Sequence, residues 1–275
     1  MLNSRRNYRI LRLNDATEKL IGAGISNPFQ EALWITGHAL KIGSAEIFSR
    51  AEFSPDESRR IDALISRRIN HEPLQYILGE ADFYGRDFHV GQGVLIPRHD
   101  TETLIDGVKE IFSRDDSFTF LDWGTGSGCI AATVMLEFPN SRGFVHDISN
   151  DALKYARENL MRYGVHDRAE FGTDGDFDLI ISNPPYIPSC EIDGLMNEVR
   201  NFEPHTALDG GHDGMTFYRE IVALALKTLK HGGYIIFEAG NLKQVDEIET
   251  FGGFQAVGKI FDTGNFPRCI ILRRG

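Results

Sequence analysis

The stretch "FTFLDWGTGSGCIAATVMLEF", residues 118–138, decides the fold. Its first half, "FTFLDWG", has the aromatic and apolar composition of a strand, and "GCIAATVMLEF" has the length and composition of a helix. A glycine-rich turn joins the two. A strand, a glycine-rich turn and a helix in immediate succession are typical of the first unit of an α/β sheet, where the backbone can closely approach a ligand.

The same alternation of strand and helix continues to the end of the chain. Six more segments have strand character: "GFVHDI", "AEFG", "DFDLIISN", "YIIFEAG", "QAVGKIFDTG" and "PRCIILRR". Helical segments follow several of them: "DALKYARENLMRYG", "GMTFYREIVALALKTLKHGG" and "LKQVDEIETF". This order predicts an α/β fold with a seven-stranded, mostly parallel, doubly wound sheet and helices on both faces. Because only "DTGNFP" separates the last two strands, they are predicted to pair antiparallel at the end of the sheet.

Residues 1–72 are predicted to form a small N-terminal helical domain. In "NPFQEALWITGHALKIG", Asn27 is the expected N-cap, Pro28 the first helical residue and Gly43 the stop signal. In "SPDESRRIDALISRRIN", Ser54 and Glu57 have the spacing of a capping box. A bundle that buries the apolar faces of these helices is the expected arrangement.

Two further segments follow this helical region. Residues 73–97, "PLQYILGEADFYGRDFHVGQGVLIP", contain short alternating runs broken by glycines and predict a β-hairpin linker. Residues 98–275 then form the predicted sheet domain. Its first helix, in "DTETLIDGVKEIF", is predicted to be capped by Asp100.

Composition and charge exclude several classes of protein. The chain has 29 basic and 40 acidic residues, and the excess of acid lies after residue 80, where the net charge is −12 against +1 before it. Such a balance disfavours a broad nucleic-acid footprint, which needs clustered Lys and Arg. Cys129, Cys190 and Cys269 have no paired spacing, and the histidines have no partners at metal spacing, so neither disulfides nor a metal site is predicted.

Neither a membrane span nor a secretion signal is indicated. No stretch approaches the roughly 18 consecutive apolar residues of a membrane helix, and the first 14 residues have no apolar signal-peptide core. The expected location is therefore the cytoplasm, a reducing compartment.

The glycine-rich turn is the first candidate site. Gly124, Gly126 and Gly128 have the spacing G-x-G-x-G, whereas the dinucleotide-binding fingerprint requires G-x-G-x-x-G. Asp147 follows Gly128 by 19 residues and ends the second strand, where a carboxylate can accept both hydroxyl groups of a ribose. A tight turn without a ligand and a helix-capping aspartate are the alternatives. Together, the turn and the acid favour an adenosine-containing ligand.

The residues around the turn favour one adenosine-containing ligand over the others. No lysine of the nucleoside-triphosphate motif follows the glycines. The neighbouring Asp122 and the short glycine spacing suit a ligand with an amino-acid tail and no pyrophosphate. S-adenosylmethionine is therefore favoured over a nicotinamide or flavin dinucleotide.

The second candidate site is "NPPY", Asn183 to Tyr186, directly after the strand "DFDLIIS". Ligands of open α/β sheets bind at the carboxyl ends of the strands. Pro184 and Pro185 end strand pairing and keep the chain extended. Asn183 Oδ1 and the Pro184 carbonyl can each accept one N–H of a planar NH₂ group, while the Tyr186 ring stacks on it. A plain strand-ending turn is the alternative interpretation.

These motifs resemble, in order and spacing, the HemK/PrmC family of protein-(glutamine-N5) methyltransferases. The resemblance rests on "VLIPRHDTETLID", "LDWGTGSGCIA", "VHDIS", "DFDLIISNPPYI" and "EVRNFEPHTALDGGHDGMTFYREI", and on "EPLQYILGEADFYG" near the helical region. It implies a class I methyltransferase, Rossmann-like, that methylates the glutamine of the Gly-Gly-Gln motif in class 1 peptide chain release factors. The implied methyl donor is S-adenosylmethionine.

The resemblance also implies roles for single residues. Gly124, Thr125, Gly126, Ser127 and Gly128 would line the methionine part of the donor, and Asp147 would hold its ribose. Asn183, Pro184, Pro185 and Tyr186 would hold and activate the glutamine side chain, with Asn183 also beside the donor. The helical domain would dock on the release factor, and the enzyme is expected to be a monomer without membrane or direct nucleic-acid partners.

The chain departs from the family pattern in two places. The family often has "PRPETE" where this chain has "PRHDTE", residues 97–102, so His99 and Asp100 replace a proline and a glutamate. Only "GTDGD" separates the strands "AEF" and "FDLII", and the residue that contacts adenine is not evident there; Thr173 and Asp174 are the candidates.

Two other functions are compatible with parts of the sequence. "NPPY" is shared by amino methyltransferases that act on adenine or guanine in nucleic acid, although these need a basic recognition surface. A catalytically idle adenosine-binding scaffold is the other alternative, and the intact glycines, Asp147 and "NPPY" argue against it.

Overall fold

The computed structural model describes residues 7–50 and 53–275, with side chains described from residue 13 onward. The chain divides into two compact units: the described residues up to Gly79 together with Asn197–Phe202 form the first, and Glu80–Met196 with Glu203–Gly275 form the second. The division at residues 72 and 97 proposed above from sequence stays a prediction. None of the described helices is long and apolar enough to cross a membrane.

The described residues form eleven α-helices and nine β-strands. The described helices are α1 Asn7–Gly22, α2 Pro28–Leu40, α3 Ser44–Ser49, α4 Pro55–Ile69, α5 Leu74–Leu78, α6 Thr103–Ile111, α7 Cys129–Glu137, α8 Asn150–Arg162, α9 Asn197–Phe202, α10 Thr216–Thr228 and α11 Leu242–Ile248. The strands are β1 Glu80–Phe83, β2 Arg86–His89, β3 Thr119–Trp123, β4 Arg142–His146, β5 Ala169–Phe171, β6 Phe177–Ser182, β7 Leu229–Glu238, β8 Phe254–Phe261 and β9 Pro267–Arg274.

Within the described residues, seven strands form one sheet in the order β5-β4-β3-β6-β7-β9-β8. The pairs from β5 to β7 are parallel, and β9 pairs antiparallel with both β7 and β8. The predicted mostly parallel sheet and its antiparallel end are therefore confirmed. The chain order reverses between the neighbouring strands β3 and β6, and open α/β sheets bind ligands at the carboxyl edge of such a reversal.

Both faces of the sheet are covered. Successive residues of one strand pack into different clusters: Phe120 lies in the cluster that includes α6 and α7, and Leu121 in the cluster that includes α10 and α11. The side chains of a strand alternate between the two faces of its sheet. This explains why "DLII" in β6 is continuously apolar: Leu179, Ile180 and Ile181 are all fully buried.

Of the local predictions in the first unit, the capping box is confirmed and the end of α2 is wrong. The capping box of α4 is confirmed, because Ser54 Oγ accepts from Glu57 N and Glu57 Oε2 accepts from Ser54 N. The prediction that α2 runs on to Gly43 is wrong: the helix ends at Leu40, and Lys41 adopts the left-handed conformation with φ 57°. Helix α3 follows at once and was not predicted.

Three boundaries in the rest of the chain also differ from the sequence predictions. Residues 74–78 form α5, so the hairpin occupies only β1 and β2. Asp100 does not cap α6, because a 3-10 turn precedes that helix and the Asp100 carboxylate lies 3.2 Å from Arg268. The segment "LKHGG" belongs to β7, because α10 already ends at Thr228.

Candidate active site

A cleft opens at the carboxyl edge of the sheet, where the chain order reverses. Strands β3 and β6 are parallel neighbours, and each ends in one of the two predicted site segments. The hydroxyl of Ser182, the last residue of β6, donates to the Trp123 carbonyl at the end of β3 across 2.6 Å. The glycine turn and "NPPY" are thereby fixed side by side.

The wall of the cleft contains most of the predicted site residues. Gly124, Thr125, Gly126, Ser127, Asp147, Asn183 and Pro185 line it. Gly128, Pro184 and Tyr186 are not among the residues that line it. Any contact between these three residues and a ligand stays a prediction.

The glycine turn is held from below by a buried carboxylate. Gly124, Gly126 and Gly128 all have positive φ, at 75°, 55° and 78°, which glycine adopts without steric cost. Asp122 Oδ2 accepts hydrogen bonds from Thr125 Oγ1 at 2.7 Å and from Ala131 N at 3.1 Å. Burial raises the pKa of Asp122 to about 7, with the nearby charge of Asp147 adding to the effect.

Asp147 follows β4 and fastens the turn from the side. Its Oδ2 accepts from Gly126 N at 2.9 Å, and its Oδ1 accepts from Ser149 N at 2.9 Å. Asp147 is not the cap of α8, because Ser149 takes that place and accepts from Ala152 N. The carboxylate therefore holds the turn against the start of α8 and still lines the cleft.

Gly128 is expected to be the least replaceable residue of the turn. An alanine there would combine a strained positive φ with a Cβ only 3.0 Å from the Ala156 Cα, so we expect Gly128→Ala to lower the free energy of unfolding by about 3 kcal/mol. Gly164 is the matched control, because it has φ 66° and nothing within 4 Å of an added Cβ. Urea unfolding of the two variants measures the difference, and equal losses would contradict the packing role of Gly128.

The first residue of "NPPY" has a fixed amide. Asn183 Nδ2 donates to Thr101 Oγ1 across 2.9 Å, which leaves Oδ1 available as an acceptor. Thr101 is 3% exposed and stands in the 3-10 turn His99–Glu102, 82 residues before Asn183. The "PRHDTE" segment therefore contributes directly to the site.

The last residue of "NPPY" is held by β7 and α11. The Tyr186 hydroxyl donates to Glu238 Oε1 at 3.3 Å, and the Tyr186 carbonyl accepts from Gln244 Nε2 at 2.7 Å. Glycines fill the remaining space: an added Cβ would lie 2.8 Å from the Tyr186 Cα at Gly210, 2.4 Å from its carbonyl oxygen at Gly214 and 2.5 Å from its ring at Gly240. No larger side chain fits at these positions without a shift of the loop.

Glu238 is the buried acid of this region. It is 1% exposed at the end of β7, and burial raises its pKa to about 7. A side-chain hydrogen bond from Thr101 and the charge of Arg268 partly oppose that shift. Burial likewise raises the pKa of Tyr186, so its phenol is neutral and acts as a donor at physiological pH.

An internal ion pair supports the opposite wall of the cleft. Glu203 is 4% exposed, pairs with Arg98 and accepts from Ile96 N at 3.1 Å. Glu203 thus ties the "IPR" segment to the loop that follows it, in which Pro204, Thr206 and Ala207 line the cleft.

The apolar residues that line the cleft are not those that the sequence suggested as adenine contacts. Trp123, Ile148 and Phe217 line the cleft, and the rings of Trp123 and Phe217 lie 5.6 Å apart. Thr173 and Asp174 do not line it. The suggestion that either residue contacts a ligand therefore has no support in the geometry.

The two residues that depart from the family pattern lie at the edge of the site. Asp100 pairs with Arg268, and the side chain of His99 is 81% exposed. His99 and Glu102 also form, with Asp82, a group whose possible metal ligands lie within 4.8 Å of one another. Exposed acidic groups of this kind are common without an ion, and the predicted lack of a metal stays a prediction.

Sequence reasoning missed Thr101, Glu238 and Gln244. Thr101 and Glu238 each offered a signal: the first is a polar residue in a motif shared with the family, and the second is an acid directly after the apolar run "YIIF". Gln244 offered none, because a glutamine in an amphipathic helix is ordinary. Only the tertiary fold places all three against "NPPY".

Comparison with known proteins gives matches over most of the chain. The model of the PrmC N-terminal domain matches residues 12–79, and that of the Methyltransferase small domain matches residues 100–197. The Release factor glutamine methyltransferase of Koribacter versatilis is 40% identical over 270 residues, which cover 95% of this chain and 96% of that protein. That of Agrobacterium fabrum is 36% identical over 274 residues, which cover 94% and 95%.

Solved structures of other methyltransferases share the fold. A methyltransferase from Pyrococcus furiosus aligns with 79% of this chain and 98% of its own, with a TM-score of 0.50 and 19% identity. The hMettl16 catalytic domain aligns with 82% and 84%, with a TM-score of 0.52 and 14% identity. At these identities the likeness shows the fold alone, and it confirms the predicted class I methyltransferase architecture.

Proposed function

The chain belongs to the family of release factor glutamine methyltransferases, and from this premise we propose that it methylates the side-chain amide nitrogen (N5) of a glutamine in class 1 peptide chain release factors. The glutamine is that of the Gly-Gly-Gln motif, and S-adenosylmethionine is the methyl donor. The names of the curated relatives favour this protein substrate over a base in nucleic acid.

One observation carries the proposal. Asn183 and the glycine turn follow adjacent parallel strands and line the same cleft. A planar NH₂ group held at Asn183 therefore lies beside a ligand held by residues 124–128. Methyl transfer between the two requires this proximity.

The residues of the cleft fit S-adenosylmethionine, which supplies an electrophilic methyl group on a sulfonium. Gly124, Gly126 and Gly128 have no Cβ, so a ligand can approach the backbone of the turn closely at these positions. Gly124 to Gly128 would hold the methionine part and Asp147 the ribose. Trp123, Ile148 and Phe217 offer apolar walls to the adenine.

The rate of methyl transfer is proposed to depend on how the glutamine amide is positioned relative to the methyl group. An amide nitrogen is a weak nucleophile, and correct orientation of two reactants can contribute about 7–11 kcal/mol to lowering the barrier. Asn183 Oδ1 and the Pro184 carbonyl accept the two N–H groups of the glutamine, while the Tyr186 ring packs on the amide plane. Once the methyl group has been transferred, the nitrogen is acidic and releases its proton.

The first unit is proposed to dock on the release factor. Phe29 and Trp34 of α2 are 46% and 47% exposed and Ile21 of α1 is 58% exposed, which gives this unit apolar surface for a protein partner. The enzyme is further proposed to act as a monomer in the cytoplasm, without membrane or direct nucleic-acid partners.

Transfer of labelled methyl groups tests the proposal. We expect label from S-adenosylmethionine on a purified class 1 release factor and none on a variant whose Gly-Gly-Gln glutamine is alanine. DNA and ribosomal RNA serve as parallel acceptors. Label on nucleic acid, or equal label on the glutamine variant, would overturn the assignment.

A further inference from the structure

Arg268, near the start of β9, has a guanidinium group that contacts three different segments of the second unit. Its Nη1 donates to the Ala239 carbonyl at 3.0 Å, and its Nη2 lies 3.2 Å from Asp100 Oδ2. Both Nε and Nη2 donate to Asp262 Oδ2, at 3.3 and 3.1 Å. The side chain is 16% exposed, and neither Arg268 nor Asp100 is among the residues that line the cleft. Any role of this arginine in the reaction must therefore pass through other residues.

Asp262 and Phe266 hold the guanidinium in one orientation. Asp262 Oδ1 accepts from Gly264 N at 2.9 Å and from Phe266 N at 3.0 Å, which fixes the turn between β8 and β9. Asp262 Oδ2 then accepts from Arg268, whose guanidinium carbon lies 4.7 Å from the centre of the Phe266 ring. A planar guanidinium held on two sides in this way presents its remaining donors in fixed directions.

The contact between Arg268 and Asp100 leads to Asn183. Asp100 and Thr101 are consecutive residues of the 3-10 turn His99–Glu102. Thr101 lines the cleft, and its Oγ1 accepts from Asn183 Nδ2 at 2.9 Å. The ion pair of Asp100 with Arg268 therefore fixes the turn whose next residue orients the Asn183 amide.

The contact between Arg268 and Ala239 leads to Tyr186. Ala239 is bonded to Arg268 through both of its backbone groups, because Ala239 N also donates to the Arg268 carbonyl at 2.8 Å. The next residue, Gly240, lies so close to the Tyr186 ring that an added Cβ would be 2.5 Å from it. The backbone that Arg268 holds at residues 239–240 therefore limits where this ring can lie.

We propose that Arg268 is a positioning residue for methyl transfer, which holds both ends of "NPPY" from outside the cleft. It acts on the Asn183 amide through Asp100 and on the Tyr186 ring through Ala239. The inference rests on the proposed function, in which Asn183 and Tyr186 hold the same glutamine amide. A shift at either end changes the direction in which the amide nitrogen approaches the methyl group.

Replacement of Arg268 by lysine keeps the positive charge and removes the planar group. A single ammonium cannot reproduce the directed bonds to Ala239, Asp100 and Asp262. We expect Arg268→Lys to lower kcat at least about 10-fold, because the reaction depends on orientation. The KM for the release factor is expected to stay within about threefold of wild type, and the Kd for S-adenosylmethionine is expected to be unchanged.

Arg273→Lys is the matched control for this variant. Arg273 belongs to the same strand and also lies over an aromatic ring, with its guanidinium carbon 5.9 Å from the centre of Tyr234, but its side chain is exposed. Its kcat is expected to stay within about twofold of wild type. A wild-type kcat in Arg268→Lys, or an equal loss of kcat in both variants, would overturn the inference.

Asp100→Ala tests the branch toward Asn183 without a change in the interior. Since the Asp100 side chain is 48% exposed, the variant is expected to fold and to lower kcat about threefold, the size of effect that such an ion pair can have. Asp100→Ala and Arg268→Met remove the same ion pair. The loss of kcat in the double variant is therefore expected to be smaller than the product of the two single losses. Losses that multiply would contradict this branch.

A measurement without a release factor separates this inference from the proposed function. The side-chain NH₂ resonances of Asn183 and the ring resonances of Tyr186 are assigned with Asn183→Asp and Tyr186→Phe variants. Both sets are expected to shift in Arg268→Lys and to stay in place in Arg273→Lys, while the amide resonances of the glycine turn stay in place in both. Unchanged Asn183 and Tyr186 resonances in Arg268→Lys would refute the inference. If these resonances shift and the wild-type enzyme labels no release factor, only the proposed function is refuted.

Discussion

Asn183→Ala is expected to reduce methyl transfer to a release factor by at least about 100-fold, the cost that a misplacement of 1 Å can bring to a reaction that depends on orientation. The amide of Asn183 is fixed by Thr101 and lines the cleft beside the glycine turn. Its loss removes an acceptor for the glutamine NH₂ group. The measurement is single-turnover transfer of labelled methyl groups at saturating donor.

The donor site is expected to remain intact in this variant. Gly124 to Ser127 and Asp147 keep their own hydrogen bonds, so the Kd for S-adenosylmethionine should stay within about fivefold of wild type, since each hydrogen bond contributes about 1 kcal/mol. Asn140→Ala, at an exposed asparagine far from the cleft, is the control. Methyl transfer by Asn183→Ala at the wild-type rate would exclude the proposed mechanism.

The architecture was predictable because hydrophobic pattern and chain order determine it. Continuous apolar strands such as β6, followed by amphipathic helices, leave a parallel sheet covered on both faces as the stable arrangement. The carboxyl ends of parallel strands meet at one edge, so Gly124, Asp147 and Asn183 were expected to be neighbours. The structure places all three on one cleft.

The supporting residues were not predictable, because they depend on contacts between distant segments. The bond from Asn183 to Thr101 spans 82 residues, and that from Gln244 to the Tyr186 carbonyl spans 58. The local sequence pattern contains no information about which distant residues form such pairs. The same limit explains the error at Asp100: its sequence position suits a cap, but Arg268 in β9 provides a charged partner that only the fold reveals.

Gly240→Ala is expected to disable the enzyme without touching any residue of the cleft. Gly240 has no positive φ, so alanine introduces no backbone strain there. Its Cβ would lie 2.5 Å from Cδ2 and 2.7 Å from Cε2 of the Tyr186 ring, about 1 Å closer than ordinary van der Waals contact. The ring must therefore move, and a displacement of this size is expected to cost about 100-fold in methyl transfer.

A control variant distinguishes displacement of the Tyr186 ring from general damage to the fold. Gly252→Ala is the matched control, since an added Cβ at Gly252 meets nothing within 4 Å and its φ is not positive. Donor affinity in Gly240→Ala should equal that of the control, because the glycine turn follows β3 and its hydrogen bonds to Asp122 and Asp147 are unaffected. If Gly240→Ala lost donor binding together with methyl transfer, the ring would not be the cause. If it kept the wild-type rate, the position of Tyr186 would not matter to the reaction.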